Sequence, residues 1–257
     1  MSKLQRLAHV RDISELRRET ESPAFVQALD EREAAAAAAA ERRVVSARRQ
    51  ALETSGIRVT PDDVEAIAHD RLIETPALKV TRQWLTDHQQ WDCVHAKPGK
   101  GESCQHCGAS LHKPRGARPL RFFGLLGPVS IGKTVAAAWA CARVGGYAIK
   151  AGEIPRILAM FERDEQARRI VICRLLVIDD LGTEPSKDGQ PSPFFSSALY
   201  ELIDERLSRR ACLTLITSNL SRANIVKRYE PRTIARLDHE GHLQEKLGDK
   251  SLRRGPR

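Results

Sequence analysis

No apolar run in this 257-residue chain approaches the roughly 20 residues that a membrane-spanning helix needs. The stretch from Met1 to Glu19 is charged throughout and has no apolar core of the kind an export signal carries, so a cytoplasmic location is expected. No internal repeat is present, which excludes a solenoid or propeller. In a cytoplasmic compartment the six cysteines should be reduced thiols or metal ligands, since thiol buffers disfavour structural disulfides. A hydrophobic share of 41% with 29% charged residues excludes wholesale disorder. The length allows one domain of ordinary size with an appendage, or two small ones. What stands in excess is positive charge. Lys and Arg number 42 against 33 Asp and Glu, a formal +9, which suits a polyanionic partner but bears on encounter and solubility rather than on fold.

Along the chain, residues 1–50 read as a helical arm. Leu4, Leu7, Val10, Ile13 and Leu16 recur at helical spacing. Pro23 breaks the run, and a second helix follows, carrying Ala34 to Ala40. Such an arm is either a solvated spacer or a docking element for a partner protein, because one apolar stripe makes no core of its own. Residues 51–92 read as linker helices: Thr60 caps a fresh start with Pro61 at its first position, and a further helix shows Leu78, Trp84 and Leu85 on one face. From Pro119 to the end, residues 119–257, the pattern changes. Short apolar runs at Phe122–Leu126, Leu175–Ile178 and Leu213–Ile216 alternate with amphipathic stretches, the signature of a parallel sheet covered by helices on both faces.

The first of these runs leads straight into Gly127-Pro128-Val129-Ser130-Ile131-Gly132-Lys133-Thr134, a G-x-x-x-x-G-K-T loop between a strand and a helix. Its glycines let successive N–H groups turn toward phosphate oxygens, and the helix N-terminus adds its dipole. Lys133 can reach the β- and γ-phosphates of ATP, and the Thr134 hydroxyl can ligate Mg²⁺. The second run ends in Asp179-Asp180. Side chains alternate along a strand, so the two carboxylates are expected to leave it in different directions, one toward Mg²⁺ and one toward the attacking water. The third run ends in Asn219, placed to bond the γ-phosphate or the lytic water, although asparagine at a strand end is also ordinary turn chemistry. Arg232 and Arg236, four apart, share a helix face. They serve either as an arginine finger into a neighbour's nucleotide site or as a salt-bridging surface. Between the nucleotide strands, an arginine-bearing helix with Arg156, Arg163, Arg168 and Arg169 offers a row that nucleic-acid phosphates would attract, unless it is simply a solvated face.

Residues 93–113 hold a cluster of soft ligands. Cys93-Val94-His95 is followed by Cys104-Gln105-His106-Cys107-Gly108, and the C-x-x-C-G half is a common zinc knuckle. Cys93, His95, Cys104 and Cys107 make a candidate structural Zn²⁺ site, with His106 and His112 as substitutes for His95; a redox dithiol and an unligated loop are the alternatives. Catalytic zinc is not expected, since four protein ligands close the shell. Lys97, Lys100, Lys113, Arg115 and Arg118 surround the cluster, which therefore suits either DNA or a protein partner. Cys141, Cys173 and Cys212 sit singly in apolar stretches and read as core.

Taken in order, GPVSIGKT, LLVIDDLGTE, ITSNL and RTIAR resemble an AAA+ ATPase of the DnaC/IstB-like family, which includes replicative helicase loaders and helper ATPases of transposition. The resemblance covers most of residues 51–257. It implies an α/β P-loop core without a C-terminal helical lid, ending in a polar edge strand at Gly241–Leu247. It also implies Asp179 as the Mg²⁺-side carboxylate, Asp180 as the catalytic one, Asn219 as sensor 1, Arg232 as a finger acting in trans and Arg236 as its support. The implied partners are single-stranded DNA, further copies of the chain around the nucleotide, and a replicative helicase or a transposase held by the arm. Two departures from the family pattern stand out. Pro-Val-Ser-Ile separates the loop glycines where relatives carry more glycine, and Asp180 replaces the usual Glu, which suits slow, switch-like turnover. A zinc-stabilised DNA-binding adaptor with little ATPase activity is the reading from a different class.

Overall fold

In the computed structural model, residues 23–92, 121–209 and 212–244 are described. The chain divides into two units after Ser46. The first is represented by the N-terminal part of helix α1 (Pro23–Ser55), whose side chains from 26 to 37 are exposed. Alanine supplies helix propensity there with little area to bury.

The second unit begins with the end of α1 and helices α2 (Pro61–Ala68) and α3 (Pro76–Asp92). Thr60 caps α2 as its residue type suggests: its hydroxyl accepts from the Asp63 N–H at 3.2 Å, and the Asp63 carboxylate answers in a capping box. The core is a five-stranded, wholly parallel sheet built from β1 (Phe122–Leu126), β2 (Gly146–Lys150), β3 (Leu175–Leu181), β6 (Leu213–Ser218) and β7 (Gly241–Gln244). A small hairpin, β4 (Ser186–Lys187) with β5 (Gln190–Pro191), lies between β3 and β6 in sequence. The order across the sheet is β2-β3-β6-β1-β7. The polar last strand therefore lies at an edge, as its sequence implies.

Helix α4 (Lys133–Val144) packs on one face, where Ala136, Ala137, Ala138 and Ala140 are buried against Leu125, Val177 and Leu215. Small side chains let this helix lie close to the strands. Leu52, Ile67, Leu78 and Leu85 extend the same cluster, and Trp84 stacks on Phe123 with centroids 5.3 Å apart. The other face is covered by α5 (Ile154–Met160), α6 (Glu165–Ile172), α7 (Pro193–Ser208), α8 (Arg222–Arg228) and α9 (Pro231–Glu240), through residues such as Ile157, Val171, Leu199, Leu202 and Leu237.

One expectation changes here. The arginine-bearing segment is two short helices, not one. Asp164 starts α6 by accepting the Ala167 N–H at 2.7 Å, leaving Arg163 in the turn between them. Arg156 pairs with Glu153, Arg168 with the Glu162 carbonyl and Arg169 with Glu165, so the four arginines do not form one row.

Candidate nucleotide-binding site

Inserting β6 between β1 and β3 brings three strand ends side by side: the loop after β1, the acidic pair ending β3, and Asn219 just beyond β6. In open parallel sheets ligands bind at such carboxyl ends. The loop 127–134 has the curled backbone that phosphate binding requires. Gly127 has φ +138°, Ser130 φ +68° and Gly132 φ +87°. Ser130 thus takes a left-handed conformation that a glycine would adopt more easily, which shows how the Pro-Val-Ser-Ile sequence closes the loop with fewer glycines. Ile131 is buried beneath it, Val129 is exposed, and a Cβ on Gly127 would meet Ile131 at 3.1 Å. No side chain caps Gly132, so the first turn of α4 offers its N–H groups and dipole to an anion.

Lys133 is buried, and its ammonium is folded back over the loop. It donates to the carbonyls of Gly127 (2.8 Å) and Pro128 (2.7 Å) and to Asn219 Oδ1 (3.0 Å). Burial lowers its pKa, while Asp180 and Asp179 oppose the shift. Asn219 is therefore joined to the loop lysine, as its position after β6 suggests.

The acidic pair differs from expectation. Strand alternation would send Asp179 and Asp180 apart, yet both carboxylates reach the same ammonium, Lys150 Nζ, at 2.7 Å each. The reason lies in the backbone. The pairing of β3 with β6 shifts register between Ile178 and Leu181, and Asp180 has φ +59°, so the pleat is broken where the second carboxylate emerges. Asp180 is held in this conformation from both sides: its N–H donates to Thr217 Oγ1 (2.9 Å), and its carbonyl accepts from the Thr183 hydroxyl (2.8 Å). Asp179 is buried, and its Oδ1 accepts from Thr217 Oγ1 (2.6 Å) and Thr134 Oγ1 (3.3 Å). The loop threonine and the strand carboxylate thus meet directly, the juxtaposition needed for a shared Mg²⁺ shell.

Two participants escape a reading by motif. Lys150, last residue of β2, stands in register with Asp179 across the sheet. Thr217 directly follows the apolar run Leu213–Ile216, and its period-2 position on β6 is the one signal that its hydroxyl faces Asp179. Below the site, Glu184 is buried and accepts from Gly182 N (2.8 Å), Arg228 Nε (2.8 Å) and the Tyr229 hydroxyl (2.7 Å). Burial is the largest influence on Arg228 and lowers its pKa, but the hydrogen bond and charge of Glu184 together with Tyr229 outweigh it and the net shift is upward; burial and the same carboxylate push the Tyr229 hydroxyl up. This knot ties the segment after the acidic pair to α8.

Arg232 and Arg236 share a face of α9, as their spacing predicts, and that face lies over α7. Arg232 sits 4.6 Å above the Tyr200 ring and pairs with Glu230 (2.6 Å); Arg236 pairs with Asp204 (2.9 Å). Both side chains are about half exposed, at 54% and 49%. Cys93, His95, Cys104 and Cys107 lie outside the described residues, and among the described residues no group of His, Cys, Asp and Glu could hold a metal ion by itself.

Fold and site together define an α/β P-loop core: a parallel sheet covered by helices, with a G-x-x-x-x-G-K-T loop at its carboxyl end. Among solved structures, the chain is similar to one titled "Crystal structure of the DnaC helicase loader", at 21% identity over 48% of this chain and 76% of that one, with a TM-score of 0.39. It is also similar to one titled "Crystal Structure of the DnaI", at 18% identity over 52% and 73%, with a TM-score of 0.39. No family model and no curated protein matches the sequence. Among the described residues no helix is long and apolar enough to cross a membrane.

Proposed function

We propose that this chain is an ATP-binding and ATP-hydrolysing AAA+ switch of the helicase-loader kind. The observation that carries the reading is the meeting, at adjoining strand ends, of Lys133 with Asn219 and of Asp179 with Thr134 and Thr217. The cradle fits a triphosphate: its backbone is already curled, Gly127 holds φ +138°, which side-chain-bearing residues rarely adopt, and the start of α4 is uncapped. It fits Mg²⁺ as well, with Thr134 and Asp179 as the protein ligands, and the ion would supply charge neutralisation on the phosphates. On binding ATP, Lys133 exchanges the carbonyls of Gly127 and Pro128 for phosphate oxygens and brings its charge to the β- and γ-phosphates. Asp180 orients the attacking water and accepts its proton, and Asn219 donates to the γ-phosphate. Arg232 of a neighbouring copy, released from Tyr200 and Glu230, would neutralise charge developing in the transition state, with Arg236 holding its helix.

The client is a replicative helicase, bound through residues 1–50, and the DNA is single-stranded, met by the basic rim around residues 93–118. Cys93, His95, Cys104 and Cys107 hold one structural Zn²⁺. The test is phosphate release from Mg²⁺-ATP by the full chain, with and without single-stranded DNA. Slow turnover that DNA alters, and that Asp180→Asn abolishes while ATP still binds, is the expected result. Turnover absent in the wild type, or unchanged in the variant, would favour the adaptor reading. For the metal, zinc content should be one per chain and should vanish with Cys104→Ser and Cys107→Ser together; stoichiometric zinc in that variant refutes the knuckle.

A further inference from the structure

The acidic pair carries a cation of its own. Lys150 Nζ lies 2.7 Å from Asp179 Oδ2 and 2.7 Å from Asp180 Oδ2. The other oxygen of Asp179, Oδ1, is already engaged by the hydroxyls of Thr217 and Thr134. Any divalent cation that takes Oδ2 of Asp179 must therefore displace the ammonium, because two cations cannot share that oxygen at contact distance without strong repulsion. The backbone fixes Lys150 in this place. It pairs with Asp179 in the β2–β3 register, and its N–H is held by Glu153 Oε2 at 2.8 Å. The side chain has somewhere to go when displaced: it is 51% exposed, and with Asp179, Arg58, Glu153 and Arg156 it lines an open cavity of about 720 Å³.

We propose that Lys150 is an intramolecular counter-ion that competes with the divalent cation for the acidic pair, so that the pair accepts metal only together with the nucleotide, whose phosphate oxygens add ligands. This rests on the nucleotide reading above. Lys150 is a positioning residue: it neutralises Asp179 and Asp180 in the metal-free state and holds the Asp180 carboxylate beside Asp179. Two consequences of opposite sign follow from removing it. Without nucleotide, the bared carboxylates bind a divalent cation more tightly. Without metal, they repel the triphosphate that Lys150 had shielded.

The test uses the full chain and two readouts other than turnover. Mn²⁺ binding is followed by electron paramagnetic resonance without nucleotide, and a fluorescent ATP analogue is titrated in EDTA and in Mg²⁺. Lys150→Met should bind Mn²⁺ about tenfold more tightly than wild type, as expected for removing a partner that touches both carboxylates. The same variant should lose affinity for the analogue in EDTA and show a steeper Mg²⁺ dependence, whereas Lys150→Arg should behave as wild type. Thermal melting checks that each variant is folded, and Lys150→Gln replaces Met if the latter is not. Equal Mn²⁺ affinity in the wild type and the uncharged variant overturns the proposal. Failure of the wild type to bind the analogue under any condition would instead overturn the nucleotide reading, and the Mn²⁺ comparison would still report on the Lys150 contact.

Discussion

Thr217→Val is the perturbation that reaches furthest into this site with the smallest change of shape. The Thr217 hydroxyl is fully buried; it donates to Asp179 Oδ1 at 2.6 Å and accepts the Asp180 N–H at 2.9 Å. Valine has the same volume and keeps the packing of β6, so the loss is confined to these two bonds. A hydrogen bond to a carboxylate contributes about 1.5–3 kcal/mol, and an N–H left without its acceptor costs at least about 1 kcal/mol, for a sum of about 3 kcal/mol. For a folded unit of this size that corresponds to a fall in melting temperature of about 6–12 °C. A second effect separates this role from packing alone. Asp180 holds φ +59° partly through that N–H, so its carboxylate loses one anchor. Binding of ATP through Lys133 should survive, and hydrolysis should fall. Thr217→Ser, which keeps the hydroxyl, should retain both stability and turnover. Circular-dichroism melts and single-turnover phosphate release are the assays. A Thr217→Val protein that melts within about 2 °C of wild type would refute the reasoning, since hydrogen bonds of this kind cannot be removed at so little cost.

Glu184→Ala should destabilise the protein by about 2–3 kcal/mol in urea unfolding, because it removes a buried carboxylate that accepts from a half-buried guanidinium and a buried hydroxyl. Arg228 and the Tyr229 hydroxyl both lose their carboxylate partner in that variant. Gly146→Ala places a Cβ 2.6 Å from the Leu175 carbonyl, so β2 must move off β3; a loss of about 2 kcal/mol is expected in the same experiment. Burial pushes the Cys141 thiol up to about 12, so at pH 8 it should resist alkylation until the protein unfolds, as mass spectrometry of iodoacetamide-treated samples would show.

Much of this architecture is legible in the chain because the signals are local. A continuous apolar run followed by a glycine-rich turn and an alanine-rich helix locates β1, the loop and α4, and Thr60 marks the start of α2 by residue type alone. Asn219 could be assigned a place because strand ends converge in a parallel sheet. What could not be read depends on pairings between distant segments. The two aspartates converge because β3 slips against β6 at Ile178–Leu181, and alternation within one strand contains no trace of that slip. Lys150 becomes part of the site through sheet register, 29 residues from Asp179. The arginine segment reads as one helix when only its arginines are followed, whereas Asp164 caps a second one. The β4–β5 turn did carry a sequence signal. Asp188-Gly189, with φ +52° and +79°, is the dipeptide that a tight hairpin favours.

Nucleotide binding at this site turns on Lys133 being a phosphate-binding lysine rather than a loop staple. Calorimetric titration of the full chain with Mg²⁺-ATP addresses this directly. One site per chain is expected in the wild type. In Lys133→Ala, which removes the donor to Gly127, Pro128 and Asn219, binding should be lost in a protein that still melts cooperatively and is therefore folded. Absence of binding in the wild type, or equal binding by both proteins, would contradict it.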